Sequence, residues 1–111
     1  MRTFFGGKFI EKSKLEKEGI HYPIKLEYYK RIDNQDSKQN NCYAKFGISV
    51  VKTEYIPDNI KIESREVRNI SQDKNKIENL LSIFKEMEVT PMAVEEIIKD
   101  LVPDCSNQKI M

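Results

Sequence analysis

VRNISQDKNKIENLLSIFKEMEVTPMAVEEIIKDL, residues 67–101, decides the fold, because it predicts two amphipathic helices joined by a short turn. Apolar residues in its first half recur at the three- and four-residue spacing that places them on one face of a helix. They are Ile77, Leu80, Leu81, Phe84 and Met87. The second half repeats the spacing and predicts a second apolar stripe. Its members are Val94, Ile97, Ile98 and Leu101.

The same stretch contains signals for where each helix begins. Ser71 is a candidate N-cap for the first helix, since a serine hydroxyl can accept a bond from a free backbone N–H. Thr90 is the corresponding candidate for the second helix, and Pro91 suits the first helical position. Val89 is placed to pack against Val94 as a hydrophobic staple. We therefore expect the second helix to fold back beside the first.

The N-terminal third predicts two strands. Residues 2–12 have the aromatic and β-branched content of a strand, and the glycine pair at 6–7 predicts a bulge or a weak edge. The polar run at 14–19 predicts a turn. From Ile20 to Tyr28 apolar residues alternate strictly, which predicts a strand with one buried face. Pro23 lacks a backbone donor, so this strand should lie at an edge or begin frayed.

Two further strands follow a polar connection. Residues 33–41 contain no apolar residue and predict a long hairpin loop. Cys42 to Val50 alternate again, which predicts a third strand with Gly47 and Ser49 among its outward residues. After a turn at 55–59, a fourth strand begins, and its alternation slips before Val67. The slip predicts a bulge near residues 64–66.

Four antiparallel strands followed by two amphipathic helices predict an α+β fold. The expected architecture is a four-stranded antiparallel sheet with the C-terminal pair of helices packed on one face, a two-layer sandwich. Residues 1–102 should form this single domain, and residues 103–111, which have no periodicity, should form a flexible C-terminal tail.

Composition narrows the function classes. Charged residues make up 33% of the 111 residues, yet the formal net charge is only +1, so a strongly basic nucleic-acid binder is disfavoured. No run of apolar residues is long enough to cross a membrane, and the N-terminus lacks a signal-peptide core. Two cysteines do not form a disulfide framework. We expect a cytoplasmic protein without a membrane partner.

The sequence predicts no catalytic chemistry. His21 is the single histidine and has no second ligand at metal-binding spacing, so we predict neither a metal site nor a cofactor. Cys42 is in phase with a buried face, whereas Cys105 lies in the expected tail, where exposure alone leaves it open to modification. Glu96 and Asp100 share a helix face opposite the apolar stripe, which predicts a solvated face and not an acid–base pair. We expect a protein that is not an enzyme.

The first hairpin is the best candidate for a working surface. It combines aromatic residues beside a glycine pair with a group of lysines. The candidate partner surface consists of Phe4, Phe5, Phe9, Lys8, Lys12, Lys25 and Tyr29. Such a surface suits a non-enzymatic protein-interaction or regulatory module. The alternative is a weak single-stranded nucleic-acid binder that uses the lysine-rich hairpin, although glutamates lie among the lysines.

Several short motifs resemble those of a known family. The runs at 69–73, 89–91 and 97–101, with the strand Tyr43–Ile48, are similar to a family of small proteins known only as a domain of unknown function. The resemblance spans most of residues 3–101. It implies a cytosolic domain from spore-forming, low-GC Gram-positive anaerobes. The family implies no activity, cofactor or catalytic residue.

Overall fold

The computed structural model of the protein describes residues 2–32 and 46–101. Four strands and three helices lie in these two ranges. They are β1 (Arg2–Ile10), α1 (Lys12–Leu15), β2 (Ile24–Ile32), β3 (Phe46–Ile56), β4 (Asn59–Ser71), α2 (Lys74–Glu86) and α3 (Val94–Leu101). Short 3-10 turns precede β2 and α3, at Glu16–Glu18 and Pro91–Ala93 respectively.

The strands form one antiparallel sheet in the order β1-β2-β3-β4, and the C-terminal helices cover one of its faces. The α+β architecture is therefore confirmed. The core lies between this face and the helices, where each side supplies apolar residues at its own period. Its largest fully buried members are Tyr28, Phe84, Leu26, Ile48, Ile77, Leu81, Val50 and Val94.

The first two strands differ from their predicted limits. The predicted bulge in β1 is confirmed, because the pairing with β2 shifts between Phe4 and Gly6. The predicted polar turn is helical, formed by α1 and the following 3-10 turn, and it ends at Gly19 with φ of 79°. The second strand begins at Ile24, so the predicted start at Ile20 is wrong. Pro23 immediately precedes the strand, in agreement with a frayed start.

The inner strand β3 is buried on more than its core face. Ile48 and Val50 are fully buried under the helices, as the alternation predicted. Ser49 points to the other face, yet it is also fully buried, so the prediction that it faces outward to solvent is only half right. Its hydroxyl accepts a hydrogen bond from the Arg2 guanidinium at 3.2 Å. A side chain of β1, which lies beyond β2 in the sheet, therefore covers this position.

The bulge in β4 lies later than predicted. Pairing with β3 is regular from Asn59 to Val67, and the shift occurs where Val67 faces Ile48 and Ser71 faces Phe46. Asn69 in this segment has φ of 55°, a left-handed conformation that asparagine tolerates better than most residues. The bulge expected at 64–66 is therefore wrong by a few residues.

Helix α2 buries the predicted stripe but begins and ends differently. Its N-cap is Asp73, whose carboxylate accepts a bond from the Asn75 N–H at 2.9 Å. The predicted cap, Ser71, instead accepts a bond from the Asp73 N–H at 3.0 Å, one step earlier. Met87 lies beyond the last helical residue and is 64% exposed, so its predicted place in the buried stripe is wrong.

The turn between α2 and α3 reverses the chain tightly. Glu88 has φ of 54°, and Val89 then enters the core, in which Val94 is also buried. Thr90 occupies the N-cap position, but its side chain makes no capping bond. Pro91 begins a 3-10 turn, and α3 continues from it.

Some predictions fall outside the described residues. These are the hairpin loop at 33–41, the start of the third strand at Cys42, the tail at 103–111 with Cys105, and the side chain of Leu101.

A buried hydrogen bond joins the sheet to the turn between the helices. The fully buried Tyr28 donates its hydroxyl proton to the Val89 carbonyl oxygen at 2.8 Å. Burial, and then the negative charge of Glu88, raise the pKa of this phenol. The neutral hydroxyl is therefore the form that the fold holds, and it fixes the helical turn above the middle of β2.

We expect Ile48→Ala to lower the free energy of unfolding by about 2–5 kcal/mol, because it removes a fully buried side chain between sheet and helices. Ile60→Ala is the matched control, since Ile60 is a strand isoleucine that is 60% exposed. Its cost should stay within about 1 kcal/mol. Urea unfolding curves measure both, and equal losses would contradict the assignment of the two faces.

We expect Tyr28→Phe to cost about 1–3 kcal/mol at neutral pH, because the Val89 carbonyl loses its buried donor. Tyrosine in an unfolded chain ionises near pH ~10, whereas the folded pKa is higher. Tyr28 therefore contributes its full stabilisation below pH ~10 and loses it above, by up to about 1.4 kcal/mol per pH unit. The difference in stability between wild type and variant should shrink as the pH rises from about 9 to 11. A constant difference across this range would contradict the buried, neutral phenol.

Candidate functional site

Four residues of the predicted partner surface meet on the sheet face that faces away from α2 and α3, here called the open face. Phe4 pairs with Tyr29 across β1 and β2, and Phe9 pairs with Lys25. Because side chains alternate along a strand, these four point to the side opposite the buried Tyr28. Phe4 is 56% exposed and Phe9 is 58% exposed. The first hairpin therefore presents part of the predicted surface.

The other three predicted residues lie elsewhere. Phe5 is at the bulge and packs against the core on the helix side. Lys8 points to the same side, with its ammonium nitrogen 3.5 Å from a carboxylate oxygen of Glu88. Lys12 begins α1, beyond the end of the strand. The bulge explains part of this division, because one extra residue changes which side chains face outward.

One end of the open face carries a cluster of an arginine and two rings. The Phe4 and Tyr29 ring centroids are 5.5 Å apart in an edge-to-face arrangement. The Arg2 guanidinium lies 4.3 Å from the centroid of the Tyr29 ring, which is a cation–π contact. Arg2 was not among the predicted residues, because its place beside Tyr29 follows from the strand register.

A second pair of rings lies further along the face. Phe9 and Tyr55 have centroids 6.2 Å apart, although Phe9 is on β1 and Tyr55 is on β3. The rings therefore meet above β2, which runs between their strands. Sequence reasoning placed Tyr55 in a turn. Its alternation with the open-face residues Val51 and Thr53 is the signal that extends the strand to it.

Gly7 leaves a notch between the two ring pairs. An open cleft of about 400 Å³ lies here, bordered by Phe4 on one side and Phe9 on the other. A Cβ atom at Gly7 would lie 2.8 Å from the Leu26 carbonyl oxygen and 3.6 Å from the Phe4 ring. Glycine is thus required for the close approach of the strands, and it leaves the floor of the notch without a side chain.

Charged groups border the notch in pairs. The Lys25 ammonium lies 3.8 Å from a carboxylate oxygen of Glu27, which also accepts a bond from the Tyr29 hydroxyl at 3.3 Å. Further along, the Arg31 guanidinium lies 3.0 Å from the carboxylate of Glu66. The open face therefore combines apolar surface with nearly balanced charge. A long, highly charged partner gains little from such a face.

The residues considered for catalysis lie apart from the notch. His21 is exposed in the segment before β2, and Glu96 and Asp100 are exposed on α3, as predicted for a solvated face. Tyr22 donates to the Glu54 carboxylate at 2.7 Å, and this bond raises the pKa of the phenol. Within residues 2–32 and 46–101, no group of three histidine, cysteine or carboxylate side chains is placed to hold a metal ion.

A family model covers residues 7–104, most of the chain, and its description is a family of unknown function, DUF6514. The chain belongs to the DUF6514 family. The match agrees with the resemblance found in the sequence, and it includes the notch glycine, β2 to β4 and both C-terminal helices. No curated protein and no solved structure matches the chain. Among the described helices, none is both long enough and apolar enough to span a membrane.

Proposed function

We propose that this chain is a non-enzymatic interaction module, which binds an apolar segment of a protein partner on the open face of its sheet. The single observation that carries the proposal is the exposure of Phe4 and Phe9, each more than half accessible, on either side of the Gly7 notch. Exposed apolar side chains scattered singly are ordinary, whereas a contiguous group with a polar border is typical of an interaction site.

The geometry of the notch suits one apolar side chain of a partner. Its floor is backbone at Gly7, its walls are the rings of Phe4 and Phe9, and the Lys25–Glu27 pair lies at the rim. An aliphatic or aromatic side chain entering it would bury apolar area against both rings. The rim charges would stay hydrated and orient the partner's backbone or polar side chains. This is the usual arrangement of a buried centre within a polar border.

A regulatory or protein-interaction role in the cytoplasm of a low-GC Gram-positive anaerobe agrees with the sequence resemblance. The proposal assigns the open face no bond-breaking step and no cofactor, so binding is its whole activity.

A weak single-stranded nucleic-acid binder is the second candidate, and the Arg2–Tyr29–Phe4 cluster favours it. A ring with a guanidinium above it on an exposed antiparallel sheet can stack a base. Two findings disfavour it. Lys8 points to the helix side, where it meets Glu88, and Arg31 is held by Glu66 on the open face. The lysine-rich hairpin thus does not present a continuous basic track for phosphates.

We predict that a displayed peptide library selected on the wild-type protein yields apolar peptides whose binding depends on the notch. Phe9→Ser should weaken the binding of a selected peptide about tenfold or more, because it removes one wall of the notch. Met92→Ser is the matched control: Met92 is 79% exposed, but it lies in the turn before α3, away from the open face. It should leave the affinity unchanged. Calorimetric or fluorescence titrations give the dissociation constants.

The same titrations separate the two candidates. Single-stranded RNA at low ionic strength should give no binding that weakens with added salt. If RNA binds with a steep salt dependence and Phe9→Ser or Tyr29→Ser abolishes it, the nucleic-acid role replaces the protein-interaction role. If the selected peptides bind the Phe9→Ser and Met92→Ser variants equally, the open face is not the binding site.

A further inference from the structure

The outer edge of β4 is long, regular and exposed. β4 is the last strand in the sheet order, and no other described strand pairs with its outer side. Every residue from 59 to 66 is exposed, and the segment contains neither proline nor glycine. Its pairing with β3 has no irregularity before Val67. Such an edge has free backbone N–H and C=O groups along its length and is a template for another strand.

The opposite edge of the sheet is a poorer template. β1 carries the bulge at Phe5 and the glycines that follow it, so its outer backbone groups are not evenly spaced. The bulge of β4 lies beyond Val67, where Asn69 has a positive φ, and it therefore confines any added strand to the regular part of the edge.

Side chains along β4 alternate in charge as well as in direction. On the helix side, Lys61, Glu63 and Arg65 follow one another, so that positive, negative and positive groups recur at every second residue. On the open face the same segment shows Ile60 and Ile62, which are 60% and 70% exposed. A strand with this pattern is complementary to an antiparallel copy of itself in one register and repulsive in others.

The registers can be compared directly. A two-fold axis perpendicular to the sheet must pass midway between the two copies of one residue, so that this residue lies opposite its own copy. With the axis at Glu63, that glutamate faces its own copy and Lys61 faces Arg65, so every charged pair is repulsive. With the axis at Ile62, Lys61 faces Glu63 twice, and Ile62 faces Ile62. Only the Ile62 axis pairs opposite charges on one face and apolar side chains on the other.

A register centred on Ser64 pairs Glu63 with Arg65 favourably, but it places each exposed Ile62 opposite Glu66. Arg65 is also held by Glu95 on α3, at 2.8 Å. Lys61 and Glu63 lie opposite Glu54 and Lys52 on β3, and those two β3 side chains form an ion pair with each other at 3.8 Å. The register centred on Ile62 therefore forms more favourable side-chain pairs along the edge than the register centred on Ser64.

We infer that the partner of this edge is a second copy of the chain, joined through antiparallel β4 strands about a two-fold axis at Ile62. The dimer carries one continuous eight-stranded sheet, with both open faces on the same side. Ile62 of one copy contacts Ile62 of the other, and each Lys61 meets a Glu63. The contact uses β4, whereas the Gly7 notch lies on β1 at the other edge of the sheet, so it stands independently of the binding role proposed for the notch.

Charge exchange tests the register. Sedimentation equilibrium of the full chain, from about 5 to 500 µM, gives the dimer dissociation constant. Lys61→Glu and Glu63→Lys should each weaken dimerisation about tenfold or more, because both intersubunit pairs become repulsive. The double variant Lys61→Glu/Glu63→Lys should restore it. An equimolar mixture of the two single variants should form a heterodimer, since every pair between them is again of opposite sign.

A disulfide probe tests the axis. In a background with Cys42 and Cys105 replaced by serine, Ile62→Cys should give a cross-linked dimer under mild oxidation, because directly opposite residues have Cβ atoms about 5 Å apart. Ile60→Cys is the matched control, since its own copy lies four residues away along the paired strands. It should remain monomeric on a non-reducing gel.

A wild-type chain that stays monomeric across the concentration range overturns the inference, as does a dimer whose dissociation constant ignores both charge exchanges. Equal cross-linking at positions 60 and 62 overturns the register. The peptide-binding role is read separately, because Phe9→Ser changes the notch and leaves β4 intact. A monomer that still binds selected peptides would therefore contradict the dimer alone.

Discussion

The amount of apolar helix surface is the constraint on which the rest of the structure depends. A four-stranded sheet has two faces, and the stripes of α2 and α3 bury one of them. Phe84 and Leu81 of α2 lie fully buried against that face, and the bond from Tyr28 to the Val89 carbonyl fixes the turn that brings α3 beside it. Since no described helix covers the second face, the strand sequences themselves decide what that face shows.

Side chains on the open face contact one another in pairs, which reduces their exposure to solvent. Its rings contact each other in two pairs, and its cations lie beside carboxylates or above a ring. Arg2 illustrates the result, because it contacts the Tyr29 ring and also covers the Ser49 hydroxyl. Such contacts limit exposed apolar area without removing it. Gly7 has no side chain to cover the sheet at its position, and an open cleft of about 400 Å³ lies there between Phe4 and Phe9.

Sequence reasoning succeeded where the signal is local. The helix stripe that includes Leu80, and the alternation through Leu26, follow from periods of 3.6 and 2 residues, so both buried faces were predicted. It failed where the outcome depends on a side chain from another strand of the sheet. Ser49 is buried because Arg2 reaches over it, and Tyr55 joins the open face because Phe9 lies across β2 from it. Neither relation can be predicted before the register is known.

Bulges and helix caps were predicted in kind, but their exact positions were not. The slip in the alternation of β4 correctly indicated an irregularity, but its position is set by the positive φ at Asn69. The N-cap of α2 illustrates the same limit. Ser71 and Asp73 are both good capping residues, and which of them caps the helix depends on where β4 ends. For the candidate site, the residue types were predicted, whereas the bulge at Phe5 decided which of them share a face.

Accessibility to a soluble paramagnetic probe, read from side-chain NMR signals at low protein concentration, tests most directly whether the chain buries one sheet face and presents the other. We expect the rings of Phe4 and Phe9 to be relaxed as strongly as the exposed methyl group of Met92, while Ile48 and Phe84 are protected. If Phe4 and Phe9 are as protected as Ile48, the face is covered in solution, and its role as a binding surface is contradicted.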